Sequence, residues 1–465
     1  MSQAKPEHHV QSGSNDLRRS LSGRHISMLA IGGVIGVGLF YGASVSVQLA
    51  GPGVLIGFLA CGVIVAIVMR ALGEMTVESP TSGSFTEYAT RHLGRGVGLV
   101  TAGMWWFYWI ATVMSELAAI GKLLEYWFPS LPAWIPGLAA LILFTISNLL
   151  VVRLFGEIEF WFAALKILAI TVFMAFGLLI ILTGLFNHGH VTGLTNLWVN
   201  GGFLPHGWFG VLMAMSLVVQ AYSGIETLGV EAGESRDPRV TMRRAFRTVT
   251  VRIGVLYIGS MLIMLCAFPW SYLIGHSGSP YVLMFSKIGI PIAAGLINLI
   301  IVLSGLSSCN TGMYGGSRML YSLSRSGVIP DAISTLNKNR VPRLATWITA
   351  FAISIGILIT YLAPNNVYVW ITSASAFASL WTWAIILLAE MVSRRRANRS
   401  GVRLKYPMPF WPVLPMIGCL LLLVTFVSIV WSPLTRISVF SGLVWLALLW
   451  MYWLTRGRRK MFEST

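Results

Sequence analysis

Twelve apolar stretches, most about twenty residues long, follow one another along this chain, and the linkers between them hold nearly all of its arginine and lysine. A run of about 20 apolar residues crosses the hydrocarbon core of a bilayer as a single α-helix. The pattern therefore predicts an all-α integral membrane protein with spans near 27–49, 54–72, 99–123, 134–152, 158–184, 208–230, 253–274, 291–322, 345–363, 370–391, 412–431 and 437–455. Spans one, six and eight carry interruptions. Only 11% of residues are charged and 56% are hydrophobic, against about 25% charged in an ordinary soluble domain.

The basic residues orient the helices. With the N-terminus placed in the cytoplasm, all but five of the 33 Lys and Arg fall in the tails and linkers of that side. The exceptions are Lys122, Lys287 and Arg436 outside, and Lys166 and Arg318 within spans. Positive charge gathers on cytoplasmic linkers, so both termini are expected inside a bacterial cytoplasmic membrane. The formal charge of +17 then meets anionic lipid headgroups, and nucleic acid is not needed to explain it. Residues 1–24 are polar and lack the apolar core of a cleavable signal; they read as a cytoplasmic tail, with Leu17 to His25 as a short interfacial helix. Residues 456–465 read as a second cytoplasmic tail.

Glycines at 32, 33, 36 and 38 crowd the middle of the first span. Gly32 and Gly36 have the small-xxx-small spacing of close helix packing. Gly33 and Gly38 in addition favour a tight turn whose freed amides, with the following half-helix, face a carboxylate. Span six offers a matching interruption at Tyr222, Ser223, Gly224 and Glu226, where released carbonyls can accept the protons of an ammonium group. Two interrupted helices in corresponding positions of two halves mark the binding site of a carrier. The same offset lays span three, with Glu116, over span eight at Ser307–Asn310. Five helices (25–184), five inverted helices (208–391) and two more (412–455) account for the count.

Charges at membrane depth are costly and tend to be functional. Lys166 either snorkels past Phe162 and Ala163 or stays buried between spans one, five and eight as a fixed ammonium. Glu116 either faces the cavity, in gating or substrate contact, or hydrogen-bonds a neighbouring helix. Glu226 follows the sixth-span break and suits proton coupling, because protonation removes the cost of desolvating its charge. Glu231, Glu234 and Asp237 stand among arginines and suit an inner gate or a helix-end anchor.

Other chemistry finds little support. Trp105, Trp106, Tyr108 and Trp109 read as packing or lipid-facing aromatics, and Trp198, Trp208, Trp370 and Trp431 as interface anchors. Cys61, Cys266, Cys309 and Cys419 lack CxxC spacing. His188, His190 and His206 have no convergent acids or cysteines to complete a metal site. No HExxH, GxSxG or P-loop occurs, so neither an enzyme nor an ATP-driven pump is expected, and no cofactor is called for.

The stretches RHISMLAIGGVIGVGLFYGAS, LAGPG, MRALGEM with SPTSGSF, FGEIEFWFAALK, GIETLGVEAGES and NTGMYGGSRMLYSLSRSG together resemble the amino acid permeases of the amino acid–polyamine–organocation superfamily, within the bacterial amino acid transporter family. The likeness runs from about residue 17 to 455. It implies a leucine-transporter-type fold of twelve helices and import of amino acids with protons. It also implies that Gly33, Val34, Gly36 and Gly38 surround the substrate carboxylate, while Ile31 and Tyr222–Ser223–Gly224 approach the amino group. Lys166 matches a lysine that takes the region of a sodium site in sodium-coupled relatives, and Glu226 and Glu234 match acids of the pattern. Glu231 stands where many relatives are neutral and receives no substrate role.

WFYWIATVMSELAAIG and SSCNTGMYGG look most like threonine/serine permeases. Val34 replaces the Ser or Thr often found there, which removes one hydroxyl contact. Ser223, Ser307, Asn310 and Thr311 can still serve a hydroxylated side chain. The expected function is proton-coupled uptake of a small neutral amino acid. A permease for proline, histidine, aromatic amino acids, D-serine/D-alanine/glycine or 4-aminobutyrate, an exchanger, and a non-transporting sensor stand as alternatives.

Overall fold

The computed structural model describes residues 34–81, 83–150, 155–184, 191–231, 238–274, 279–287, 289, 291–337, 341–364 and 366–457. The expected sites at Ile31, Gly33 and Glu234, with Gly32, His188, His190 and Asp237, lie outside the described residues. Among the described residues the regular elements are all helices. Ten helical stretches among the described residues are long and apolar enough to cross a membrane, and Trp134–Leu149 is a shorter apolar helix.

The first span is broken as its glycines suggest. Gly36 is extended (φ −109°, ψ −163°) and precedes α1 (Val37–Phe40), which passes at Tyr41 into α2 (Gly42–Ala50). Gly51 then turns with φ +58°, and a Cβ there would run into the Pro205 ring; the left-handed backbone and the close approach both require glycine. The short Gly51–Gly53 turn leads into α3 (Val54–Glu78). An amphipathic helix, α4 (Ser84–Leu93), fills part of the predicted 73–98 linker. It is followed by α5 (Arg95–Leu124), α6 (Trp134–Leu150) and α7 (Phe155–Thr183).

In span six, α8 (Gly207–Tyr222) stops at Ser223, Gly224 takes φ +95°, and α9 (Thr227–Glu231) resumes after it. Next, α10 (Pro238–Ala267) starts well before the predicted span seven. Phe268–Pro269 separates it from α11 (Trp270–Ile274), since proline disfavours helix in the residue before it. The short α12 (Pro280–Lys287) precedes α13 (Pro291–Arg325). This corrects the reading of span eight: α13 is unbroken despite its glycines. A Cβ at Gly312 would overlap the Val113 side chain and crowd the Trp109 ring, and one at Gly305 would press on Val37 and Ile120. These glycines bring α13 close to its neighbours; they do not bend it.

The chain ends with α14 (Arg343–Leu362), α15 (Val367–Arg399), α16 (Val413–Trp431) and α17 (Arg436–Tyr452). The most apolar windows of α5 and of the α8–α9 stretch are 78% buried and that of α15 is 83%, against 33% for α16 and 17% for the last helix. The first three therefore form the inside of the bundle, with α13 and α15 packed on α5, and the last two expose apolar faces.

The segment after α15 is strapped to the end of α3. Glu74 receives Arg394 at 2.9 Å and also the backbone N–H of Met408, while Glu78 receives the N–H of Lys405. Arg70 lies over the Tyr406 ring and donates to the Pro407 carbonyl.

Candidate functional site

Between the two breaks lies a small cavity. Its backbone wall is the bend at Val34, Gly36 and Gly38, and α8 contributes Gln220 and Ser223. From α5 come Tyr108, Thr112, Ser115 and Glu116, at i, i+4, i+7 and i+8, a spacing that sets them on one helix face. Ser308 of α13 and Tyr368 of α15 complete it. The space is roughly that of one water molecule, so admitting an amino acid requires these helices to move apart.

The polar groups freed by the first break are largely accounted for. Gly36 N–H donates to Val34 O at 3.0 Å, and that carbonyl also accepts from Tyr257 Oη at 3.2 Å. Ser304 Oγ donates to Ile35 O at 2.8 Å. The N–H of Val37 donates to Glu116 Oε2 at 3.1 Å. Glu116 thus both lines the cavity and bonds a neighbouring helix, the two placements expected of it as alternatives. Its carboxyl group sits against the glycine-rich bend, at the N–H of Val37.

On the opposite side, Gln220 Nε2 donates to Thr112 Oγ1 at 3.2 Å, and Thr112 pairs with Ser375 Oγ at 2.7 Å. Gln220 Oε1 is buried and has no partner among the described residues. Glu226 is fully buried, and its Oε2 accepts from Gly224 N–H and from Trp383 Nε1, both at 3.2 Å. It ties the backbone of the sixth-span break at Gly224 to Trp383 of α15.

Lys166 is 1% exposed, which excludes snorkelling. Its Nζ donates to Ser307 Oγ at 3.0 Å and lies 3.9 Å from Glu159 Oε1. Ser307 in turn donates to Glu159 Oε1 at 2.5 Å. Ser307 is therefore turned to this pair, and Ser308 takes its expected place at the cavity. Four other expected contacts also lie outside the lining: Tyr222 donates to Phe58 O at 3.1 Å, the N–H of Gly224 donates to Glu226 Oε2 at 3.2 Å, Asn310 accepts from Asn148 Nδ2 at 3.1 Å, and Thr311 Oγ1 is buried without a partner among the described residues.

Sequence reasoning missed Tyr108, Thr112, Ser115, Gln220, Ser308 and Tyr368. The polar stripe of α5 was available as a signal, hidden by the density of aromatics around it. Glu159 was missed although it stands seven residues, two helical turns, from Lys166.

Broken helices around a buried polar cavity, inside a bundle of membrane-length apolar helices, define a multi-pass membrane protein of the permease type. Residues 25–463 match the family model described as amino acid permease. The chain is 42% identical over 97% of its length, and 97% of the relative's, to the "Uncharacterized amino acid permease YtnA" of Bacillus subtilis (strain 168). It is 39% identical, over 94% of both chains, to the "Probable threonine/serine transporter YbxG" of the same organism. It is also similar to the "Aromatic amino acid transport protein AroP" of Escherichia coli O6:H1, at 35% identity over 94% of this chain and 96% of that one. The chain belongs to the amino acid permease family: it is a membrane transporter of amino acids and not an enzyme.

Proposed function

We propose that this permease imports a small neutral L-amino acid, threonine or serine, together with a proton across the bacterial cytoplasmic membrane. The observation that carries the substrate class is the cavity itself. It is lined by the hydroxyl-bearing residues Tyr108, Thr112, Ser115, Ser223, Ser308 and Tyr368 and by Gln220, polar partners that suit a hydroxylated side chain. The similarity to YbxG points the same way.

In this reading the substrate carboxylate takes the place of the Glu116 carboxylate at the Gly36–Gly38 bend. Gln220 Oε1, buried and without a partner among the described residues, accepts from the ammonium group alongside the freed backbone at Ser223. Two carboxylates at the same amides repel, so substrate entry is linked to Glu116 taking up a proton or swinging aside. Lys166 is the buried ammonium that braces the first span and holds the coupling proton, Glu226 stabilises the sixth-span break, and Ile31, Gly33 and Glu234 extend the site and its inner gate. The helices form a leucine-transporter-type arrangement of five plus five inverted spans and two more, with both termini in the cytoplasm. The distribution of Lys and Arg supports that orientation.

The test is uptake into proteoliposomes driven by a proton gradient, with competition by the twenty common amino acids, D-serine and 4-aminobutyrate. Accumulation that collapses with a protonophore and is blocked best by threonine or serine supports the proposal. Strongest block by aromatic amino acids refutes the substrate, and uptake only against preloaded amino acid refutes the coupling.

A further inference from the structure

Lys166, Ser307 and Glu159 form a continuous polar chain in the interior of the bundle. Lys166 and Glu159 are 1% and 2% exposed. The Ser307 hydroxyl lies between them, accepting from Nζ at 3.0 Å and donating to Oε1 at 2.5 Å, while the direct separation is 3.9 Å. Glu159 Oε2 is buried without a partner among the described residues. Glu159 stands in the second turn of α7, near the end that adjoins Arg153, which the proposed orientation places in the cytoplasm. Among the described residues, Glu116 on α5 and Cys309 on α13 also act on Lys166.

We propose that Ser307 and Glu159 are the relay by which a proton held at Lys166 leaves toward the cytoplasm. Ser307 passes its hydroxyl proton to Glu159 Oε1 as its oxygen takes a proton from Nζ. The ammonium becomes an amine, the carboxylate becomes a carboxylic acid, and the hydroxyl is regenerated. An ion pair becomes a neutral pair, so no net charge is created in the apolar interior. Glu159 then releases its proton as the inner face opens. Ser307 and Glu159 are positioning and proton-carrying residues and touch no substrate. The inference rests on the reading of Lys166 as a coupling residue.

The experiment uses the full chain in proteoliposomes with a labelled mixture of the twenty common L-amino acids. It compares proton-driven net accumulation with counterflow in preloaded vesicles lacking a gradient, where the proton need not leave. Ser307→Ala and Glu159→Gln are expected to slow net accumulation at least tenfold and leave counterflow within twofold, with Ser307→Thr restoring accumulation. Equal loss of accumulation and counterflow in both variants assigns a structural role and overturns the relay. Accumulation within twofold of the parent in both, with Lys166→Ala inactive, overturns the relay while the role of Lys166 stands. If Lys166→Ala also accumulates normally, that role falls and the relay with it.

Discussion

Gly36→Ala and Gly38→Ala differ by one methyl group each, at two positions of the same cavity wall, yet the structure predicts unequal outcomes. A Cβ at Gly36 would overlap Glu116 Oε1 and sit 3.4 Å from Ser308 Oγ. It would fill the anion position whether the occupant is the Glu116 carboxylate or that of a substrate. The bond at stake is the charge-assisted one to Val37 N–H, 3.1 Å long in the closed arrangement. A hydrogen bond to a charged group is worth about 1.5–3 kcal/mol, which converts to roughly 10- to 150-fold in affinity. A Cβ at Gly38 meets the Ala221 backbone at 3.4 Å, an ordinary contact, and should change affinity by about threefold or less, since a change without overlap costs little. Equilibrium binding of the best-transported amino acid to purified protein in detergent reads both. Affinity of Gly36→Ala within twofold of the parent, or an equal loss in Gly38→Ala, refutes the assignment of the anion position.

Three further outcomes follow. Lys166→Met should abolish uptake at normal expression, because an apolar chain of similar length cannot anchor Ser307 and Glu159; unchanged uptake would remove Lys166 from the mechanism. Trp383→Phe deletes one of the two donors to the buried Glu226 carboxylate and should cost about 1.5–3 kcal/mol, read as a drop in transport rate of roughly tenfold or more; an unaltered rate would mean that the indole N–H does not hold the break. Arg394→Ala leaves Glu74 buried with its salt bridge gone, a loss of about 3 kcal/mol. It should lower the melting temperature and hasten proteolysis at residues 400–412, and equal cleavage in parent and variant would contradict the strap.

Much of this site was legible in the sequence because its cause is local. The crowding of Gly36 and Gly38, and the Ser223–Gly224 pair in an apolar run, identify breaks through backbone freedom alone, and both breaks are present. The cost of a charge in hydrocarbon left Lys166 two placements, snorkelling or burial between helices, and the structure has the second. Contacts that depend on which way a helix faces were not legible. Ser307 and Ser308 are adjacent, and a rotation of about 100° between neighbouring helical residues sends one to Lys166 and the other to the cavity. Likewise α13 carries as many glycines as a broken helix would, yet it is unbroken, and only the bulk of Trp109 and Val113 opposite shows that Gly312 serves close packing. The helix boundary at Phe268–Pro269 was open to reading from the proline, but the surrounding apolar run masked it.

The most direct measurement is a structure of the protein with its transported amino acid bound. The account predicts the α-carboxylate at the Gly36–Gly38 bend within hydrogen-bonding distance of Val37 N–H, with Glu116 withdrawn and the ammonium group near Gln220 Oε1 and Ser223. An amino acid bound elsewhere, or one bound in the cavity while Glu116 keeps its bond to Val37, would contradict it.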